Sequence, residues 1–281
     1  MRTKTTTAAA VAGLLAATAS AQNSTTTTCA AGVHLIVARG SNEAPGSGRI
    51  GSVANGVVAA IPGSQIAPLD YPAAFDGYNV SVAAGDEAMK IALVQYSSRC
   101  PDSKVALLGF SQGAHVTGDV LCGGTEDDES DQLDLDFVDT TPVPSSIVDK
   151  SVIAVILFGD PTHNASAPWN KGTSTRNGLF PRENTTACEA YASKIESYCD
   201  TGDIYCDLGN DTRVHGSYFA TYTDDAVDFI AAQFNASKRA PNGSATPTGV
   251  PVSAAGPVPA ASAPGLLASL AGLSMLVACL L

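Results

Sequence analysis

The sequence predicts an α/β fold, a three-layer sandwich in which helices cover both faces of a central, mostly parallel sheet. Short apolar runs recur along the chain, and helix-compatible segments lie between them. The runs are continuously apolar rather than alternating, which is typical of strands buried on both faces. Strands that alternate with helices form parallel βαβ units. Residues 29–238 have a suitable length for one such domain with a sizeable core.

In the first half of the domain, two predicted strands alternate with two predicted helices. Residues 33–38 form an apolar run that ends at a Gly/Ser-rich turn, which predicts a strand. Residues 50–61 carry apolar side chains at helical spacing, and the run 66–69 predicts the next strand. Residues 80–100 predict a long helix with one apolar side. That side comprises Ala83, Ala84, Met89, Leu93 and Val94.

In the second half, the apolar run 105–108 predicts a strand, and residues 111–121 predict the helix that leaves it. Residues 152–158 are rich in β-branched and other apolar side chains, and Gly-Asp-Pro at 159–161 closes this run. Such a composition favours a strand. Residues 223–234 have an amphipathic pattern that predicts the last helix.

The junction after the strand at 105–108 carries a nucleophile motif. Residues 109–113 read Gly-Phe-Ser-Gln-Gly, which is a Gly-x-Ser-x-Gly sequence. Between a strand and a helix, this motif places the serine on a strained turn with its hydroxyl exposed at the end of a sheet. A Gly-rich loop is the alternative interpretation, but the flanking strand and helix favour a catalytic Ser111. A serine hydroxyl is a weak nucleophile, so it needs a base and an orienting acid.

Four histidines are candidates for the base. His34 begins the first strand, where a packed histidine is the more common case. His115 lies one helical turn after Ser111 and follows the helix away from the hydroxyl. His163 lies on a loop at the strand ends and stays open as a candidate. His215 lies late in the chain, and it fits the order serine, acid, histidine expected for this fold.

Two aspartates compete for the role of orienting acid. Asp203 lies between Cys199 and Cys206, and a disulfide across that loop would hold its carboxylate against an imidazole. Asp160 directly follows a strand, but an aspartate before proline often accepts backbone N–H bonds in a turn. The residues alone leave both open.

The oxyanion of an acyl-transfer intermediate needs hydrogen-bond donors. The backbone N–H of the residue after the nucleophile, Gln112, is one expected donor. A second is expected from a loop after an early strand. Residues 39–43 form such a loop, in which Ser41 could offer its N–H and its hydroxyl. An ordinary polar turn is the alternative interpretation of this segment.

Composition restricts the partners and the compartment. The formal net charge of −12 makes nucleic acid an unfavourable partner, because an acidic surface repels phosphates. Much of the acidity lies in residues 126–139, which are interpreted as a solvated insertion, since no calcium-loop pattern is present. Cys279 lies in the apolar C-terminal tail 265–281, which is expected to be removed, so six of the seven cysteines remain. In an oxidising compartment, three disulfides are then expected. Cys199 and Cys206 could form one of them. Matching ligand spacing for zinc is absent, so no metal is expected.

Both ends of the chain resemble processing signals. Residues 1–21 have a basic start, an apolar stretch and a small-x-small cleavage site, which predict a signal peptide. Residues 22–28 are expected to be a flexible flank. Residues 239–264 are rich in Pro, Ala, Ser and Gly, which predicts a stalk, and lipid attachment is expected near Ser253 or Ala254. The apolar tail 265–281 would then be removed. Sequons for glycosylation lie at Asn23, Asn79, Asn164, Asn184, Asn210, Asn235 and Asn242.

Three segments together resemble the cutinase and acetylxylan esterase family of fungal serine esterases. They are Ala-Arg-Gly-Ser at 38–41, Gly-Phe-Ser-Gln-Gly at 109–113, and Cys-x-x-Gly-Asp-x-x-Cys at 199–206 followed by His215. The resemblance runs from about residue 29 to 234. It implies an α/β-hydrolase-like sandwich and an esterase that needs no cofactor.

Carried over by position, the resemblance implies specific roles. Ser111 would be the nucleophile, His215 the base and Asp203 the acid, with Ser41 and Gln112 in the oxyanion hole. This favours Asp203 over Asp160. The family pattern also implies the disulfides Cys29–Cys100, Cys122–Cys188 and Cys199–Cys206.

The resemblance implies a plant cell-wall substrate, either acetylated xylan or the polyester cutin. Polar residues close to His215 favour deacetylation of xylan, with cutin cleavage as the alternative. A third hypothesis, from another class, is a catalytically silent wall or adhesion protein on the same fold. The expectation is an extracellular monomer, attached to the membrane only through a lipid anchor. The polar residues close to His215, which favour xylan, are Asn210, Asp211, Thr212 and Arg213.

Overall fold

The computed structural model describes residues 28–124 and 135–239. The predicted signal peptide, residues 240–264 of the predicted stalk and the C-terminal tail lie outside these residues, as do residues 125–134 of the acidic insertion. A six-stranded sheet forms the centre of the domain, and each of its neighbouring strand pairs is parallel. This confirms the predicted fold class. In chain order the strands are β1 (Val33–Ala38), β2 (Gln65–Pro68), β3 (Lys104–Phe110), β4 (Val152–Phe158), β5 (Asn170–Lys171) and β6 (Ile195–Tyr198).

Helices cover both faces of this sheet. Four of them are close to the helices that the sequence predicts: α1 (Gly51–Ala60), α2 (Tyr78–Arg99), α3 (Gln112–Cys122) and α8 (Thr223–Arg239). The short helices α4 (Ser145–Ser151), α5 (Thr186–Glu189), α6 (Thr212–His215) and α7 (Tyr218–Thr221), and a 3-10 turn at Ala192–Lys194, were not predicted. Four to seven residues are too few to show a clear helical period.

The core has two halves because successive side chains of a strand point to opposite faces. On one face, Ile36 and Leu107 pack in the cluster that includes Met89 and Leu93 of α2. On the other face, Val37 and Leu108 belong to the cluster under α1 and α8. Since both faces of β1 and β3 are covered, every position in these strands favours an apolar residue. That explains the continuous apolar runs.

The strand order is β2-β1-β3-β4-β6-β5. The register places Ala38 of β1 beside Gly109 of β3, and Phe110 of β3 beside Phe158 of β4. Phe158 in turn lies beside Tyr198 of β6. The carboxyl ends of these four strands therefore lie level. In an open α/β sheet, this edge is where ligands bind.

Three disulfides join segments around the sheet. Cys29–Cys100 links the segment before β1 to the end of α2, and Cys122–Cys188 links the end of α3 to α5. Cys199–Cys206 closes the loop that follows β6. These are the pairs that the family resemblance implies. Of the helices in the described ranges, none has the length and apolar character needed to cross a membrane.

Candidate active site

Ser111 occupies the turn between β3 and α3. Its φ of 53° and ψ of −122° are unusual for a residue with a side chain, because left-handed backbone conformations crowd Cβ. The two glycines of the motif permit this turn. A Cβ at Gly113 would overlap the carbonyl group of Ala38, and one at Gly109 would overlap the backbone of Gly113. The motif therefore forms the strained strand–turn–helix that it predicts.

The structure brings Ser111 together with His215 and Asp203. The Nε2 atom of His215 lies 2.9 Å from the Oγ atom of Ser111. On the other side of the imidazole, Nδ1 lies 2.8 Å from Oδ2 of Asp203. With Nδ1–H donated to the carboxylate, Nε2 is left to accept the serine proton. The serine and the histidine are 104 positions apart in the chain.

Asp203 is fully buried and held by several donors. Its Oδ1 atom accepts the backbone N–H groups of Tyr205 at 2.7 Å and Cys206 at 3.1 Å. Its Oδ2 atom accepts the hydroxyl of Tyr218 at 2.6 Å in addition to the imidazole of His215. Burial alone would raise the pKa of Asp203, but the hydrogen bonds and the charge of these partners outweigh it and lower the pKa. The side chain therefore stays a carboxylate.

The loop that carries Asp203 is stabilised at several points. The disulfide Cys199–Cys206 closes it, and Gly202 donates its N–H to the carboxylate of Asp207 at 2.8 Å. Arg176 pairs with the same carboxylate at 2.6 Å. Because the loop is tied at both ends and in the middle, the position of Asp203 does not depend on its contact with His215 alone.

Gln112 is the first residue of α3, so its backbone N–H has no partner carbonyl in a preceding turn of the helix. Its side chain is fully buried. The amide group donates to the carbonyl of Ala74 at 2.9 Å and accepts from the hydroxyl of Ser81 at 3.0 Å. The glutamine side chain thus joins the start of α3 to the loop before α2, which fixes the N–H beside Ser111.

Ser41 lies in the loop after β1, and this loop is braced from within. The carboxylate of Glu43 accepts the N–H of Gly40 at 2.7 Å and that of Arg49 at 3.0 Å. The buried side chain of Arg39 donates to the carbonyl of Glu43 at 2.9 Å. These bracing roles give no clear signal in the sequence. Arg39 and Glu43 are a charged pair four residues apart near a turn, a pattern that is common in solvent-exposed loops.

Ser41, Ser111 and His215 all line one open cavity of about 540 Å³. Its walls are largely apolar, and Phe75 at its rim is 52% exposed. Charged side chains occur on the wall near Ser41. The apolar lining comprises Phe75, Tyr78, Phe110, Leu135, Pro161, Leu179, Phe180 and Tyr205, and the charged lining comprises Glu43, Arg49 and Asp76.

His34 and His163 lie away from Ser111. His34 stacks on the ring of Tyr96 with centroids 3.5 Å apart, and burial together with Arg99 lowers its pKa to about 4. His163 is buried and lines a separate cavity of about 20 Å³. Burial lowers the pKa of His163 as well. Neither histidine is in position to deprotonate Ser111.

His115 forms a second histidine–aspartate pair inside α3. Its Nε2 atom lies 3.3 Å from Oδ2 of Asp119, and its Nδ1 atom lies 3.2 Å from the hydroxyl of Tyr78. Arg182 contacts the other oxygen of Asp119 at 2.6 Å. The side chain of His115 is fully buried. As the helix direction indicates, this histidine points away from Ser111.

Asp160 has the turn role that the sequence analysis considered as its alternative. One carboxylate oxygen accepts the N–H of Thr162 at 2.9 Å and its hydroxyl at 2.8 Å. Its ordinary role as a turn residue explains its position directly after β4. It makes no hydrogen bond with His215 among the described residues.

The polar segment before His215 does not line the cavity. Asp211 caps α6 by accepting the N–H of Arg213 at 2.9 Å, and the two side chains also pair at 2.8 Å. Neither they nor Asn210 and Thr212 belong to the cavity wall. The location of this segment therefore gives no support to the expectation that its polarity favours xylan at the site. No cluster of three or more metal-binding side chains occurs within residues 28–124 and 135–239.

The parallel sheet and the serine on its strand–helix turn define the α/β-hydrolase class. A sequence profile of the cutinase family matches residues 29–234. The chain is 34% identical to an acetylxylan esterase of Hypocrea jecorina, over 79% of this chain and 74% of the relative. It is 32% identical to Cutinase 11 of Verticillium dahliae, over 72% and 69% of the two chains.

A solved structure gives the same result. The catalytic core domain of acetyl xylan esterase from Trichoderma reesei is 36% identical, with a TM-score of 0.66. The match covers 73% of this chain and 99% of that one. The protein belongs to the cutinase family, and it is a carboxylic ester hydrolase.

Proposed function

We propose that Ser111, His215 and Asp203 form a catalytic triad that hydrolyses carboxylic esters in two steps. The observation that carries this proposal is the hydrogen-bonded chain from Ser111 through His215 to Asp203, with contacts of 2.9 Å and 2.8 Å. The hydroxyl of Ser111 attacks the ester carbonyl while His215 takes its proton. The alcohol then leaves with a proton from His215, and water cleaves the acyl-enzyme by the same route.

The developing oxyanion is stabilised by hydrogen-bond donors beside Ser111. The backbone N–H of Gln112 and the N–H and hydroxyl of Ser41 are the proposed donors. Both residues belong to segments that are braced by partly buried hydrogen bonds, which supports a preorganised site. Removing one such donor typically costs about 2.7–4 kcal/mol in the transition state.

The triad is tested with Ser111→Ala. The purified variant is expected to lose hydrolysis of a short-chain aryl ester while keeping the wild-type melting temperature. Ser193→Ala, at an exposed serine outside the cavity, is the matched control and should keep full activity. Equal turnover by Ser111→Ala would remove the catalytic assignment. Absence of turnover by the wild-type protein would instead favour the hypothesis of a catalytically silent wall or adhesion protein.

For the substrate we propose acetylated xylan, with acetate as the released acid. The support is the similarity to proteins that are named acetylxylan esterases, in sequence and in structure. The match covers 99% of the compared catalytic core, which supports a shared substrate class.

A second candidate substrate, the polyester cutin, is favoured by a separate observation. The cavity is lined mainly by aromatic and aliphatic side chains, which suit a long acyl chain better than a sugar. The two candidates are separated by measuring acetate released from acetylated xylan against fatty acid released from cutin by the same preparation. Faster release of fatty acid would overturn the xylan proposal and leave the triad unaffected.

For localisation we propose secretion followed by lipid anchoring, with the enzyme acting as a glycosylated monomer. The three disulfides fit an extracellular protein. Residues 1–21 and 239–281 supply the signal peptide and anchor patterns in the sequence. Release of the protein from intact cells by a phosphatidylinositol-specific phospholipase is expected. Recovery of an intact tail 265–281 in the mature protein would contradict the anchor.

A further inference from the structure

Tyr218 makes a contact that a core aromatic residue does not require. It lies at the start of α7, three residues after His215, and it is fully buried. Its hydroxyl donates to Oδ2 of Asp203 at 2.6 Å. The same oxygen accepts the Nδ1–H of His215 at 2.8 Å. Two donors therefore share one oxygen of the proposed triad acid.

The direction of this hydrogen bond is determined by the neighbours of the hydroxyl. Asp200 donates its backbone N–H to the tyrosine oxygen at 3.1 Å, so the phenolic proton is left for an acceptor. Of the two other neighbours, the Cys206 sulfur at 3.2 Å is a weak acceptor, whereas the Asp203 carboxylate is a strong one. Burial, followed by the charge of Asp203, raises the pKa of Tyr218. The hydroxyl thus stays protonated, and it donates to Asp203 throughout the pH range in which activity is measured.

We propose that Tyr218 is a positioning residue that moderates the pull of Asp203 on His215. The inference rests on the proposed triad. A carboxylate oxygen that receives two hydrogen bonds offers less negative charge to each donor. Without the tyrosine hydroxyl, the full charge of that oxygen would act on the imidazolium form of His215 and stabilise it. Because the base must be neutral to accept the serine proton, the tyrosine extends activity toward lower pH.

Several other ionisable groups lie around this pair and contribute to its pH response. Arg49 and Glu43 line the same cavity as His215, and Tyr205 packs its ring against the imidazole with centroids 4.5 Å apart. The groups near Asp203 and Tyr218 are Asp200, Asp207 and His163. A substitution at Tyr218 leaves all of them in place, so a change in the pH profile reports the missing hydroxyl.

The test compares two tyrosines of the same region. Tyr218→Phe removes the hydroxyl on Asp203 and keeps the ring. The acidic limb of its kcat/KM profile is expected to move upward by about half to one pH unit, and kcat at the plateau to fall about 3- to 10-fold. Tyr222→Phe is the matched control, because its hydroxyl donates to Asp200 at 2.8 Å rather than to Asp203. Its acidic limb is expected to coincide with wild type.

A second variant covers the case in which Tyr218→Phe fails to fold. Site-specific replacement of Tyr218 by 3,5-difluorotyrosine keeps the hydroxyl and makes it a stronger donor. The acidic limb should then move to lower pH, opposite to the phenylalanine variant. An unmoved limb in a folded variant of either kind would overturn the role of Tyr218. If Ser111→Ala is inactive in the same assay, the triad itself stands regardless of this outcome.

Discussion

The protein contains two histidine–aspartate pairs whose surroundings differ. His215 and Asp203 lie at the carboxyl edge of the sheet, 2.8 Å apart. His115 and Asp119 lie one helical turn apart inside α3, at 3.3 Å. Both aspartates are buried, and both carboxylates contact an imidazole. The pair alone therefore does not identify a catalytic site.

The two pairs differ in how the negative charge of the carboxylate is balanced and in what surrounds the second nitrogen of the imidazole. Asp119 also pairs with Arg182 at 2.6 Å, whereas in the described part of the chain the only ion-pair partner of Asp203 is His215. The second nitrogen of His115 meets a tyrosine hydroxyl inside the core, and that of His215 meets Ser111 at an open cavity. An arginine that neutralises the carboxylate suits a structural pair, and an opening to substrate suits a catalytic one.

The largest predicted difference comes from neutralising each aspartate in turn. Asp203→Asn should lower kcat by about 10⁴-fold, because the amide no longer holds the required tautomer or stabilises the imidazolium. Asp119→Asn should instead lower the free energy of unfolding by about 3–5 kcal/mol, because it weakens a buried ion pair. Ester hydrolysis and urea unfolding of both variants measure the two effects. A loss of activity beyond about 100-fold in a folded Asp119→Asn protein would contradict the structural role of Asp119.

Removing a disulfide near each aspartate is expected to have a smaller effect. The two removals should also differ from each other, because the two aspartates are held in different ways. Asp203 depends on a loop, so replacing Cys199 and Cys206 by alanine should lower kcat about 10- to 100-fold, since a displacement of about 1 Å is enough. Unfolding should become easier by roughly 2–3 kcal/mol. The control replaces Cys122 and Cys188, whose disulfide joins the end of α3 to α5. Here we expect a larger loss of stability, about 4 kcal/mol, and little change in kcat. If the variant without Cys122 and Cys188 had the lower kcat, the loop that carries Asp203 would be held in place without its own disulfide.

The smallest predicted effect is the pH dependence of stability. Burial opposes ionisation of Asp119, but Arg182 and His115 outweigh it and lower its pKa to about 2. A carboxyl with a pKa depressed in the folded state stabilises the protein above the unfolded value near 4 and loses that contribution as pH falls through about 2. The contribution is about 2 kcal/mol. Between pH 4 and pH 2, the unfolding free energy of wild type should fall more steeply than that of Asp119→Asn. Parallel curves would mean that the pair does not stabilise the fold.

Local patterns were sufficient for much of the fold. β1 and β4 have the predicted bounds, and β3 and α3 flank the serine as the motif requires. β5 and β6 were missed because one has two residues and the other includes Glu196 and Ser197, so neither is an apolar run. Tyr218 was missed for another reason. An aromatic residue near a helix start is typical of a core position, and no local signal indicates that its hydroxyl reaches Asp203.

By itself, the sequence determined the alternation of strands and helices, the serine turn and, through the order of residues, a preference for His215. These properties depend on neighbours in the chain, so composition and spacing reveal them. Only the tertiary structure decided the meeting of Ser111 with His215, the pairing of Arg182 with Asp119 and the apolar wall of the cavity. Each depends on contacts between loops and helices that are distant in sequence, and those conformations are set by packing and buried hydrogen bonds rather than by local propensity.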